Sequence, residues 1–319
     1  MERINDLREY LDNSHSLFHA TALLVDKLEA ADYKQLKETN EWTLIPGGKY
    51  YLVRGGGAVL AFRVPAGKPK GFLFSASHTD RPCFKVKENG VQADKYTRLL
   101  VERYGSVLIG TWLDRPLSVA GRVMVATESG VESRLVDFDR DLLLIPNVAI
   151  HANRGANDGY KWDLTTDSIP LLGSKASADK FWAELESLAG GKVLGHDLYL
   201  YIRQKSTVWG LENEFLSSAA LDDLECAWGC TQGFLPSPRT ISLFCASLTM
   251  RRLAPALIRV LPQTSCKIPS PGSAKYFLWI TAGCCPSPLW CLPIMATPFT
   301  PTTPSGPILP MRPSWTAAW

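Results

Sequence analysis

From Cys226 to Trp319 the chain runs for 94 residues without a single Asp or Glu, although 31 acids precede that point. An even spread would place about nine acids there. Residues 235–319 also hold 15 of the 22 prolines and 5 of the 8 cysteines. A segment of this kind offers no carboxylate to bind a metal or move a proton, and its prolines oppose long helices. Any chemistry that needs carboxylates must come from the first 225 residues. Charge divides the same way: residues 1–234 sum to −4 and the rest to +7, giving the overall +3. The sequence pI near 8.4 therefore reflects scattered basic residues near the C-terminus and not a basic stripe, so nucleic acid is not an expected partner.

The opening MERINDLREYL is charged and lacks the apolar core of a secretory signal. Cys83, Cys226 and Cys230 form no CxxC pair and read as idle thiols in a reducing compartment; a cytoplasmic location is expected. Tyr276–Met295 carries no charge and has the length of a membrane span. Its prolines 286, 288 and 293 argue against one helix, so no membrane association is expected.

Residues 2–12 read as a helix stopped by Asp12-Asn13-Ser14, and Phe18, Ala22, Val25 and Leu28 mark the face of a second helix. Residues 42–64 read as short strands broken at Pro46-Gly47-Gly48 and Gly55-Gly56-Gly57. Phe72–Ser77 is a short apolar run, as in a strand buried on both faces of a parallel sheet. Residues 84–150 alternate in β fashion, 175–190 suggest one amphipathic helix, 197–216 return to β character, and 217–234 suggest a loop leading into a helix. Together these imply an α/β fold with an inserted β-rich domain and an irregular C-terminal tail. The expected parts are 1–83 (catalytic domain), 84–210 (insert), 211–234 (catalytic domain, continued) and 235–319 (tail).

Ser77-His78-Thr79-Asp80 follows the apolar strand directly. Ligands collect beyond the carboxyl ends of strands in open α/β sheets, and residues i and i+2 of an extended segment share a side. His78 could then bind a metal while Asp80 fixes its ring; a loop histidine beside a cap residue is the plainer alternative. Asp222-Asp223 either bridges two metal ions or supplies acids that a helix N-terminus favours. His151, in IPNVAIHANR, is either functional or a structural histidine.

In order along the chain, LDNSHSLFHA (11–20), PGGKYY (46–51), LAFRVP (60–65), SASHTDRPCFKVK (75–87), TWLDRPLSVAGRV (111–123), IPNVAIHANR (145–154), GHDLYLY (195–201) and EFLSSAALDDL (214–224) resemble the aspartyl aminopeptidase family of dinuclear zinc metallopeptidases. The resemblance implies His78 as a zinc ligand, Asp80 as its supporting carboxylate and Asp222 as the bridge between two zinc ions. It implies that His151 reaches a neighbouring subunit's site from a β-rich dimerisation domain. It further implies a homo-oligomer acting on peptides with an N-terminal Asp or Glu. Ala220 stands where an Arg usually precedes the Leu-Asp, and His15 and Leu17 replace the usual prolines of the first motif.

The family also requires a Glu-Glu pair soon after the bridging Asp, then a further Asp and a His. The acid-free segment cannot provide the acids. Back-translating Leu248–Pro255 as TTG ACA ATG AGG AGG TTG GCT CC, and joining the third base of each codon to the first two of the next, gives Asp-Asn-Glu-Glu-Val-Gly-Ser. The same operation on Leu289–Ser305 permits Met-Val-Ser-Ala-Asp-Asn-Gly-His-Ala-Val-His-Pro-Asn-His-Pro-Glu. Both resemble the absent family segments. The sequence thus reads as a metallo-aminopeptidase whose frame changes between roughly Phe234 and Leu248, leaving an incomplete zinc-ligand set and no catalytic Glu pair. The alternatives are a non-catalytic oligomerisation subunit and a misfolded frameshift product, whose strand at 72–77 would lack further partners.

Overall fold

The computed structural model describes residues 2–67, 72–163, 165–237 and 242–248. The proposed tail beyond Leu248, including Tyr276–Met295, lies outside them. The elements in chain order are α1 (Glu2–Asn13), α2 (Leu17–Ala30), β1 (Lys34–Gln35), β2 (Lys49–Arg54), β3 (Ala58–Arg63), β4 (Phe72–His78), β5 (Cys83–Ala93), β6 (Tyr96–Tyr104), β7 (Leu117–Thr127), β8 (Gly130–Asp137), β9 (Leu171–Ser174), α3 (Lys180–Ala189), β10 (Val193–Ile202), β11 (Thr207–Trp209), β12 (Phe215–Ser217), α4 (Leu224–Phe234) and β13 (Ser242–Leu248).

Two larger sheets organise the chain. The first has the order β1-β2-β3-β13-β4, with β13 parallel to β4 and antiparallel to β3. The second, β8-β7-β10-β5-β6-β9, comes wholly from residues between Cys83 and Ser174 together with β10, and its pairings are antiparallel. Alternating apolar residues in 84–150 produce this second sheet, whose inner face buries Phe84, Leu99, Leu117, Val119, Val123, Leu198 and Leu200 completely or nearly so. Each such side chain is stabilising by roughly 1.5–3 kcal/mol relative to exposure. α3 covers part of it with Phe181 and Leu185. The helix begins at Lys180, later than residue 175, because Lys175–Ser177 forms a 3-10 turn. It ends at Gly190, whose φ of 66° is the left-handed conformation a glycine adopts without steric cost.

α1, α2 and α4 pack with β2 and β3 into a second core around Leu7, Tyr10, Leu24, Tyr51, Leu224 and Phe234. Ser16 caps α2 by accepting from the His19 N–H. The two cores touch through the segment between α1 and α2. Arg81 donates to the carbonyls of Ser14 and His15, His15 pairs with Asp137 of β8 and stacks on Tyr201 of β10 at 4.1 Å, and Arg122 lies over the Phe18 ring at 4.4 Å.

Two expectations need correction. β4 is not fully buried: Leu73 is exposed and Phe74, Ser75 and Ala76 are half-buried, and among the described residues β4 lies at one edge of its sheet. Nor does regular structure stop at Phe234, because β13 pairs with β4 along its whole length.

Candidate active site

β4 runs out at His78, and the next two residues turn back toward its ring. The His78 Nδ1 lies 2.8 Å from the Asp80 carbonyl oxygen. A carbonyl only accepts, so Nδ1 carries the proton and Nε2 is the nitrogen left to face outward. The Asp80 carboxylate, 2% exposed, approaches the same Nδ1 at 3.4 Å and accepts from Tyr104 Oη at 2.6 Å. Burial and this bond to Asp80 push the Tyr104 hydroxyl well above its ordinary range. The Asp80 backbone carbonyl thus holds the ring from behind, with the carboxylate alongside.

The loop before α4 delivers the other carboxylates to Nε2. Asp222 Oδ1 stands at 3.4 Å and Asp223 Oδ2 at 3.9 Å. Asp223 does not cap α4 with its side chain; it accepts the backbone N–H of His78 at 3.0 Å, tying the helix start to the strand end. Its side chain is mostly covered, whereas that of Asp222 is 90% exposed. Hydrogen bonding to Asp80 raises His78 to about 9; burial works against this, and the Asp223 charge adds to it. Glu225, on the first turn of α4, is raised by burial and by Asp223.

His78, Asp80 and Asp222 therefore come together from residues 78–80 and 222. His151 does not join them: it lies exposed on a turn, and the contacts of His78 and the Asp80–Tyr104 bond do not involve it. Asp223 and Tyr104 complete the cluster. Asp223 was visible as half of an acidic pair, but which acid would face the backbone was not. Tyr104 sits on a strand of the other sheet and carried no local signal.

These residues do not fit a zinc pair. A zinc ion takes about four ligands. The carboxylates near His78 are divided between its two ring nitrogens, and no group of three or more His, Cys, Asp or Glu side chains converges on a metal position among the described residues. Residues 226–319 contain no Asp or Glu, so they supply no carboxylate to complete the set.

The model of the family described as "Aminopeptidase I zinc metalloprotease (M18)" matches residues 10–247. The chain belongs to the M18 family. Among its M18 relatives, "Probable M18 family aminopeptidase 2" of Pseudomonas entomophila is 36% identical over 253 residues, covering 75% of this chain and 59% of its own length. The Pseudomonas fluorescens protein of the same name is 37% identical over 243 residues, covering 72% and 57%. The chain thus spans less than three fifths of these relatives. Among solved M18 structures, Chaetomium thermophilum mApe1 superposes with a TM-score of 0.71 at 26% identity, covering 78% of this chain and 62% of that one. The S. cerevisiae mApe1 dodecamer gives 0.68 at 20% identity, covering 80% and 65%. No helix among the described residues is long and apolar enough to cross a membrane.

Proposed function

We propose that this chain derives from a cytoplasmic zinc aminopeptidase that removes N-terminal Asp or Glu from peptides, and that the chain as written binds zinc poorly and does not hydrolyse peptides. In this reading His78 and Asp222 are the remaining metal ligands, Asp80 positions His78, and His151 serves a neighbouring subunit. The observation that carries it is the half-built cluster at the end of β4: a histidine oriented by a buried carboxylate, faced by an exposed carboxylate, with no further acid after Glu225. Peptide hydrolysis by activated water needs a carboxylate to take the water's proton and a full ligand set to hold the metal, and both belong to the frame that was lost. Purified chain incubated with zinc and Asp- or Glu-initiated peptides is expected to release no amino acid; chelator-sensitive release overturns the proposal.

A second reading is supported by the antiparallel sheet, whose buried core is drawn almost wholly from residues 84–210, with Leu17, Phe18 and Cys83 joining it. Residues 84–210 can serve as an oligomerisation module that joins intact M18 subunits. Co-expression with an intact relative, followed by size exclusion, tests it: co-elution supports the module, and a separate monomer peak removes it.

A further inference from the structure

The six-stranded sheet ends in two strands that are built differently. β9, at one edge, is four residues long, its pairing with β6 slips between Thr97 and Arg98, and Leu144 bridges to its first residue from outside. β8, at the other edge, is eight residues long and pairs with β7 without a break, from Ala120 opposite Asp137 to Thr127 opposite Gly130. No strand lies outside β8 among the described residues. Short strands, bulges, prolines and lysines keep an edge from pairing with another chain. β8, Gly-Val-Glu-Ser-Arg-Leu-Val-Asp, has none of them. We infer that β8 pairs antiparallel with β8 of a second copy of this chain, centred on Ser133, so that the two sheets join edge to edge. This rests on the oligomerisation reading above and names its surface.

The two faces of β8 differ. Its even-numbered residues face α3: Val136 is buried in the core that α3 covers, and Arg134 donates to the Ala189 carbonyl at the end of that helix at 2.8 Å. Its odd-numbered residues face the segment between α1 and α2, where Asp137 meets His15. On this second face Val131 and Leu135 are 57% and 43% exposed. On the first, Arg134 reaches Glu132 at 2.8 Å, and both side chains are partly open to solvent.

These residues select one register. Two copies related by a two-fold axis present the same strand, so if residue i meets j, then j meets i. In an antiparallel pair the axis stands perpendicular to the sheet, and residues that oppose each other belong to one face. Centring on Glu132 sets two glutamates directly opposite, and centring on Arg134 sets two arginines so. Like charges in that position are destabilising. Centring on Ser133 sets Glu132 opposite Arg134 twice, and Val131 opposite Leu135 twice. Charge on one face and apolar surface on the other are then both self-complementary, and the outward N–H and C=O groups of the edge gain partners.

Cysteine cross-linking of the full chain tests both the pairing and its register. Directly opposed residues have Cα atoms about 4.5–5.5 Å apart, within reach of a disulfide. Residue 131 and its own copy stand four positions apart along the strand, roughly 13 Å, which is out of reach. Ser133→Cys is expected to give a reducible dimer under mild oxidation, well above the background set by the unsubstituted chain and its own cysteines. Val131→Cys and Leu135→Cys are each expected to stay at background alone and to cross-link when mixed. Ser133→Cys at background, or Val131→Cys alone linked as strongly as Ser133→Cys, overturns the pairing. If it is overturned while the chain still co-elutes with an intact relative, the oligomerisation reading stands and another surface carries it.

Discussion

The two sheets of this chain have the same kind of core and different fates. The six-stranded antiparallel sheet packs against α3 and against Leu17 and Phe18 of α2, with Leu117, Val119, Val123, Leu198 and Leu200 at 0% exposure. The mixed sheet, which carries His78, ends among the described residues at β4, with Leu73 open to solvent. Packing needs only apolar residues in the right period, and β13 joins β3 to β4 by backbone pairing. Chemistry needs particular carboxylates at particular places, and those have no substitute. A chain can therefore keep its sheets and lack a complete site.

The comparison can be broken by mutation. Phe84→Ala, in the antiparallel sheet and packed edge-to-face on Trp112 at 5.2 Å, is expected to cost about 3–5 kcal/mol in urea denaturation. A loss below 1 kcal/mol would show that this sheet is not the well-packed half. Asp137→Asn comes next. Asp137 joins the cores by pairing with His15 and accepting from Tyr201 at 2.8 Å. Its pKa stays below the usual carboxylate range because His15 and its other hydrogen bonds outweigh burial. Weakening this partly buried network is expected to cost about 1–3 kcal/mol and to lower the melting temperature.

His19 sharpens the comparison through pH. Burial outweighs the nearby Asp137 charge and holds it at about 4, below the ordinary 6.5. The unfolded chain then binds more protons than the folded one between these values, so stability falls as pH drops from about 6.5 to about 4 and levels off below. His19→Gln should flatten the melting-temperature profile over that window. The smallest effect belongs to Leu73→Ala, which removes a side chain already exposed at the edge of the mixed sheet. A change within about 0.5 kcal/mol is expected, and a larger one would mean that β4 is covered after all.

Much of this was legible in the sequence because it depends on local pattern. The alternation in 84–150 and the turn glycines between the early strands carry their periods in plain view, whereas the face read for α2 is displaced: Phe18 and Leu28 are buried together with Ala20, Thr21 and Leu24, and Ala22 and Val25 are only half-buried. His78 and Asp80 were legible as neighbours by their spacing, although the contact is made by the chain turning back after His78 and not by two residues of one extended strand. Three features were not legible, each for a physical reason. Tyr104 reaches Asp80 from the opposite sheet, so only the tertiary fold brings it near. Asp222 and Asp223 are adjacent acids separated only by how the loop enters α4. The place of β13 beside β4 is a long-range pairing, and its residues read equally as tail or as strand.

The central claim is that the chain keeps the scaffold of an M18 aminopeptidase and has lost its metal site with the original frame. Its most direct test is the zinc retained through gel filtration by two purified proteins, the chain as written and the product of the same gene with one base inserted at the frame change read between Phe234 and Leu248. The account predicts no tightly held zinc in the first, and about two ions per chain with chelator-sensitive release of Asp or Glu in the second. Two retained ions and peptidase activity in the chain as written would contradict it.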